Sequence, residues 1–139
     1  MAANTTPIFT LRGNSIPARI AAANTASDGS GALVTLVTAG TDGTRVDGVR
    51  FRNSQLTAAA SSAMVQRIFL SDATGANFRL IGEVATAAAT RSTIAIGATS
   101  IFTFDQPVIM RSGQIMSVCQ SVYAGAQDQF DVIAYAGDY

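Results

Sequence analysis

IFTFDQPVIMRSGQIMSVCQSV, residues Ile101–Val122, is the longest apolar region of the chain, and its reading decides the fold. Phe102 and Phe104 alternate with Thr103 and Asp105, the two-residue period of a half-buried strand. Pro107 removes a backbone donor partway along, which places it at a strand start, a bulge or an edge. Arg111-Ser112-Gly113-Gln114 is a turn, with Gly113 free to take a positive φ. Beyond it Met116, Val118 and Val122 fall on one face, and Ser117, Cys119 and Ser121 on the other. The stretch therefore reads as a hydrophobic hairpin at the centre of an all-β domain.

The same pattern extends outward. Phe130–Tyr135 puts Phe130, Val132 and Ala134 on one face, with Ile133 and Tyr135 opposite. Ala63–Ser71 and Phe78–Val84 flank the turn Asp72–Asn77 and form a second hairpin, with Phe78, Leu80 and Val84 facing one way. Ala32–Ala39 is apolar on both faces, which suits a central strand. In Arg45–Asn53 the phase of Val46 disagrees with that of Val49 and Phe51, so a bulge is expected at Asp47-Gly48. Pro17–Ala23, Ile8–Leu11 and Thr93–Ile96 are weaker strand candidates. Asn24–Gly31, Gly40–Gly43 and Ala124–Gln129 read as loops, and Ser54–Ser62 as a loop or a single helical turn.

Eight or nine short strands without a clear helix predict an antiparallel β-sandwich of jelly-roll type, with an up-and-down barrel as the alternative. The 139 residues suit one domain, since domains most often run to ~100–150 residues. We divide the chain into an extended arm, residues 1–7, and a sandwich, residues 8–139. MAANTTPIFT has neither a basic n-region nor an apolar h-region, so no signal peptide is expected, and no run is long enough to span a membrane.

The composition narrows the chemistry. All nine basic residues are arginine, so Schiff-base and P-loop lysine chemistry is absent. There is no histidine, the usual base and metal ligand near neutral pH. With a net charge of zero, a nucleic-acid partner is not expected. Cys119, the one cysteine, reads as a buried thiol. Asp28-Gly29-Ser30-Gly31 and Asp42-Gly43 resemble fragments of calcium loops but lack the ligand series, so they read as turns. Asp128 and Asp131 are near in sequence, yet read as a loop aspartate and an outward strand aspartate rather than an acid/base pair. We expect no catalytic, cofactor or metal site and no small-molecule substrate. Arg45, Arg50 and Arg52 form a basic stripe on one strand face. It reads first as a solvated or ion-paired surface; an anionic partner, and a subunit interface where arginine is enriched and lysine depleted, are the alternatives.

Asn4-Thr5-Thr6-Pro7-Ile8-Phe9-Thr10 resembles the opening of small proteins encoded among bacteriophage and prophage structural genes. Ala23-Asn24-Thr25-Ala26, Asp28-Gly29-Ser30-Gly31, Thr38-Ala39-Gly40 and Gly43-Thr44-Arg45-Val46 extend that resemblance over the first third of the chain. It implies a virion component, either a capsid decoration (cement) protein or a tail or neck protein. The major capsid protein and copies of the chain itself would then be its partners. A homotrimer at a local three-fold site, on the virion surface after assembly in the host cytoplasm, fits such a role. Asn4, Thr5, Thr6, Pro7, Phe9, Arg45, Arg50 and Arg52 are the interface candidates. In the tail-tip alternative, a receptor- or glycan-binding module would use Tyr123, Tyr135 or Tyr139 as stacking platforms.

Overall fold

The computed structural model describes residues 9–55 and 59–139. The proposed arm, with Asn4, Thr5, Thr6 and Pro7, lies outside them, as does the middle of Ser54–Ser62. Among the described residues nine strands run in chain order: β1 Arg12–Gly13, β2 Ala18–Ile20, β3 Val34–Thr38, β4 Thr44–Asn53 and β5 Met64–Leu70, then β6 Arg79–Thr86, β7 Thr99–Met110, β8 Ile115–Gln120 and β9 Phe130–Asp138. They form two antiparallel sheets packed face to face, a β-sandwich. One sheet has the order β1-β9-β4-β7, with β2 also on β9, and the other the order β3-β8-β5-β6.

The chain folds back on itself in a nested way: β2 pairs with β9, β3 with β8, β4 with β7 and β5 with β6. Among these pairs only β5 and β6 are sequence neighbours. In an up-and-down barrel every neighbour would pair, so that alternative is excluded. The nesting also corrects the expected central hairpin. β7 and β8 are both strands and the turn between them is present, with Gln114 N–H donating to Arg111 O at 3.0 Å. They belong to different sheets, however: β7 lies beside β4, and β8 between β3 and β5. Alternation marks a strand and a turn marks a reversal, but neither says whether the two strands bond to each other.

The core lies between the sheets. Phe130, Val132 and Ala134 of β9 and Val46, Val49 and Phe51 of β4 meet Met64 and Ile68 of β5 and Met116 and Val118 of β8. The bulge expected in β4 is present: register shifts between Val46 and Gly48, so Val46 and Val49 both turn inward despite their odd spacing. β7 answers it by leaving residues 104–107 out of the β4 register, between the partners Thr103 and Val108. Pro107 thus sits in an irregular stretch of an edge strand, where its missing N–H costs no ladder bond.

Three local readings change. β3 is an edge strand, and a bulge at Leu36 lets Leu36 and Val37 both reach the core, which explains its two-sided apolarity. Between Ile68 and Phe69 the β5–β6 register shifts by one residue at Ile81, so Leu80 faces outward while Ile81 and Val84 pack inward. Thr93–Ile96 is no strand: Ser92 Oγ accepts from the backbone N–H groups of Ile94 and Ala95 and curls the segment into a turn. Of the candidate Ile8–Leu11, Ile8 lies outside the described residues and Phe9–Leu11 are not strand; the first described strand is Arg12–Gly13.

Residues 21–33 cover the outer face of the four-stranded sheet. Asn24 organises them, donating from Nδ2 to the carbonyls of Ser30 and Ala32 and accepting from Ala26 N–H. Beneath this cover Phe69, Ser117 and Cys119 are buried although they point away from the main core.

Candidate functional site

Among the described residues no segment covers the outer face of the five-stranded sheet in this way. β4 runs through its middle and turns Arg45, Asp47, Arg50 and Arg52 outward because Val46, Val49, Phe51 and Asn53 are buried. The ladder register fixes their neighbours. Arg45 stands between Gly137 of β9 and Ile109 of β7, Arg50 between Ile133 and Ile101, and Arg52 between Asp131 and Thr99. Ile101 and Ile109 are each 55% exposed and Tyr135 is 42% exposed. These isoleucines are out of phase with Phe102 and Phe104, which pack inward edge-to-face at 5.1 Å. The face is therefore a row of arginines laid between β-branched and aromatic side chains.

Two arginines on this face are neutralised. Arg45 bonds Asp47 at 2.7 Å and Arg19 of β2 bonds Asp131 at 2.7 Å. Each arginine is held above its ordinary pKa, first by the hydrogen bond to its aspartate and then by the charge. Asp131 is correspondingly depressed, chiefly by its hydrogen bond to Arg19. Among the described residues Arg50 and Arg52 make no ion pair. Of the sequence candidates, the structure thus brings Arg45, Arg50 and Arg52 onto one face. Phe9 is exposed and lines a groove of about 570 Å³ beside Leu11, Arg45, Tyr135 and Tyr139. Tyr123 does not line this groove, so the three tyrosines do not form one platform.

The remaining candidates have structural roles. Cys119 is 1% exposed, and burial raises its thiol pKa, which disfavours the thiolate. Asp28 Oδ1 accepts from the N–H and hydroxyl of Ser30 as a turn former, and Gly43 N–H closes the Gly40–Gly43 turn on Gly40 O. Asp128 ends a single 3₁₀ turn, Ala126–Asp128, within the expected loop, and is fully buried, accepting from Ser62 N–H, Ser62 Oγ and Ala124 N–H. Asp131 lies on the outer face, held by Arg19. No group of three or more His, Cys, Asp or Glu side chains that could hold a metal ion occurs among the described residues. No helix among them is long and apolar enough to cross a membrane, which does not bear on β-barrels.

Sequence reasoning missed Ile101, Ile109 and Ile133 as members of this face, and Arg19 and Arg91 beside it. Their phase was legible, but their place next to the arginines depends on which strands pair. No family model, no curated protein and no solved structure matches the chain.

Proposed function

We propose that this chain is a non-enzymatic structural protein of a bacteriophage virion that docks the outer face of its five-stranded sheet on the head shell as a decoration, or cement, protein. The observation that carries the reading is that face. It sets exposed Ile101, Ile109 and Tyr135 around two arginines without carboxylate partners, on a rigid sheet. Arginine and aromatic enrichment without lysine is the composition of an interface core. The nested strand pairing supports a jelly roll, an eight-stranded antiparallel hairpin rolled into two sheets. The phage-like pattern of the N-terminal third supports the virion setting. The partners in this reading are the major capsid protein and two further copies of the chain around a local three-fold axis. The protein reaches the virion surface from the host cytoplasm and needs no cofactor.

Co-sedimentation with undecorated capsids tests it. We expect saturable binding that Ile101→Asp/Ile109→Asp abolishes while leaving the circular dichroism spectrum unchanged. Absence of binding at micromolar protein sinks the decoration reading. The tail-tip reading, a glycan-binding module, has one observation in its favour: Tyr135 and Tyr139 line the same groove. It predicts that Tyr139→Ala weakens adhesion to host cells, and unchanged adhesion excludes it.

A further inference from the structure

We infer that one end of this face is a carboxylate-recognition site built from Arg50, Arg52 and Arg91, so that the docking partner presents an acidic protein surface; the inference rests on the docking face proposed above. Two hollows meet at Arg52. One, of about 290 Å³, is lined by Arg52, Arg91 and the turn from Ser92 to Ile96. The other, of about 130 Å³, is lined by Arg50, Arg52, Asp131 and Ile133, with Pro17 at its rim. The single carboxylate here, Asp131, is already engaged by Arg19 through Nε at 2.7 Å and Nη2 at 3.4 Å. Arg50 and Arg52 are left without an ion-pair partner among the described residues, and Arg91, though its charge reaches Asp131, makes no direct ion pair.

The geometry holds these cations rather than letting them disperse. Arg91 Nη1 donates to the backbone carbonyl of Asn53 at 2.9 Å, which anchors one side of its guanidinium next to the end of β4. The stem of Arg50 lies between Ile101 and Ile133 in the ladder, an arrangement that covers its methylenes and leaves the head outward. Planar guanidinium forks match carboxylates in two-point contacts. At the rim, Ile94 is almost fully exposed and Ile96 largely so on the Ser92 turn, and they supply apolar contact beside the charges.

Charge selects among occupants. A second copy meeting this face through a two-fold axis sets the same arginines against themselves, a like-charge juxtaposition that costs several kcal/mol. Nucleic acid needs a basic track along its backbone, whereas these arginines form a compact group interrupted by isoleucines. An acidic protein surface satisfies both the cations and the isoleucines.

The test is titration of the intact chain with hexaglutamate, following the Nε–H resonances of its nine arginines by NMR. We expect shifts concentrated on Arg50, Arg52 and Arg91 that fade as salt is added. In Arg52→Ala/Arg91→Ala the affinity should fall about tenfold, the loss of two near-surface ion pairs. A single-stranded DNA of equal charge should bind no more tightly. Shifts spread evenly over all arginines, unchanged affinity in the double variant, or tighter DNA binding each overturn the inference. Capsid binding separates this failure from that of the docking reading. If Arg52→Ala/Arg91→Ala still binds shells but Ile101→Asp/Ile109→Asp does not, the face stands and the carboxylate site falls.

Discussion

Gln66 of β5 and Gln120 of β8 stand directly opposite each other, both fully buried inside the sandwich. Gln66 Oε1 accepts from the hydroxyls of Thr86 at 2.7 Å and Ser100 at 2.6 Å. Gln120 Nε2 donates to the carbonyls of Val122 at 2.9 Å and Asp128 at 2.7 Å. Two carbonyls fix the orientation of the Gln120 amide, so its Oε1 is an acceptor turned to the interior. What remains unpaired is this acceptor and the donor Nε2 of Gln66, a complementary pair on adjacent strands. Together they divide the interior into an apolar slab and a polar end that ties down residues 121–129.

A buried polar group that loses its partner costs ~1–3 kcal/mol, and Gln120 Nε2 is a donor to the carbonyls of Val122 and Asp128. We expect Gln120→Leu to lower unfolding stability by roughly 2–4 kcal/mol, because two loop carbonyls also lose their donor. In a double-mutant cycle with Gln66→Leu, the coupling should be about 1 kcal/mol. Urea titrations of the four proteins measure it, and strict additivity would show that the amides ignore each other.

Much of this architecture could be read from local signals. The phase break at Asp47-Gly48, the alternation of Phe130, Val132 and Ala134, and the turn glycine Gly113 each depend on a few neighbouring residues. Apart from Thr93–Ile96, which the neighbouring Ser92 curls into a turn, the readings that failed depend on partners far away in sequence. Met110 and Ile115 flank a tight turn yet pair with Thr44 and Thr38 in different sheets. Leu80 faces outward because of a bulge opposite Ile68 and Phe69. The candidate face had the same limits. Its arginine stripe was visible in β4, but Ile101 and Ile133 join Arg50 only through the ladder.

Gly113 supports a strong prediction about the turn that sends the chain from one sheet to the other. Its φ is 86°, and a Cβ added there would clash with the carbonyl oxygen of Ala73, which is backbone and cannot swing away. Both the strained dihedral and the clash oppose a side chain. We expect Gly113→Ala to destabilise by about 1–3 kcal/mol. Thermal unfolding within a degree of the parent would refute this picture of the turn.

Asp72 gives a pH signature. Its carboxylate accepts from the Thr74 hydroxyl, Asn77 Nδ2 and the N–H groups of Ala76 and Thr74, which hold its pKa well below the usual carboxylate range. A folded pKa below the unfolded one means stability that is present above the unfolded value of about 3.9 and lost as pH falls towards the folded value. Asp72→Asn should therefore flatten the acid limb of the stability curve below about pH 4. Identical slopes for the parent and variant would place the acid sensitivity elsewhere.

Asp128 offers the clearest test of the polar end. It is fully buried, and its two carboxylate oxygens receive Ser62 N–H at 2.6 Å, Ser62 Oγ at 2.9 Å and Ala124 N–H at 2.7 Å. Asp128→Ala leaves two backbone donors without an acceptor in a site closed to water. Hydrogen bonds to a charged group are worth ~1.5–3 kcal/mol, so the variant should lose about 3–5 kcal/mol. Asp128→Asn keeps the shape and one acceptor oxygen but turns an amide N–H₂ toward the remaining donor, so its loss should be intermediate. Amide hydrogen exchange at Ser62 and Ala124 separates this account from general softening. Exchange should accelerate most at those two residues in Asp128→Asn, and uniform acceleration across β5 and β9 would argue that Asp128 acts only by filling space.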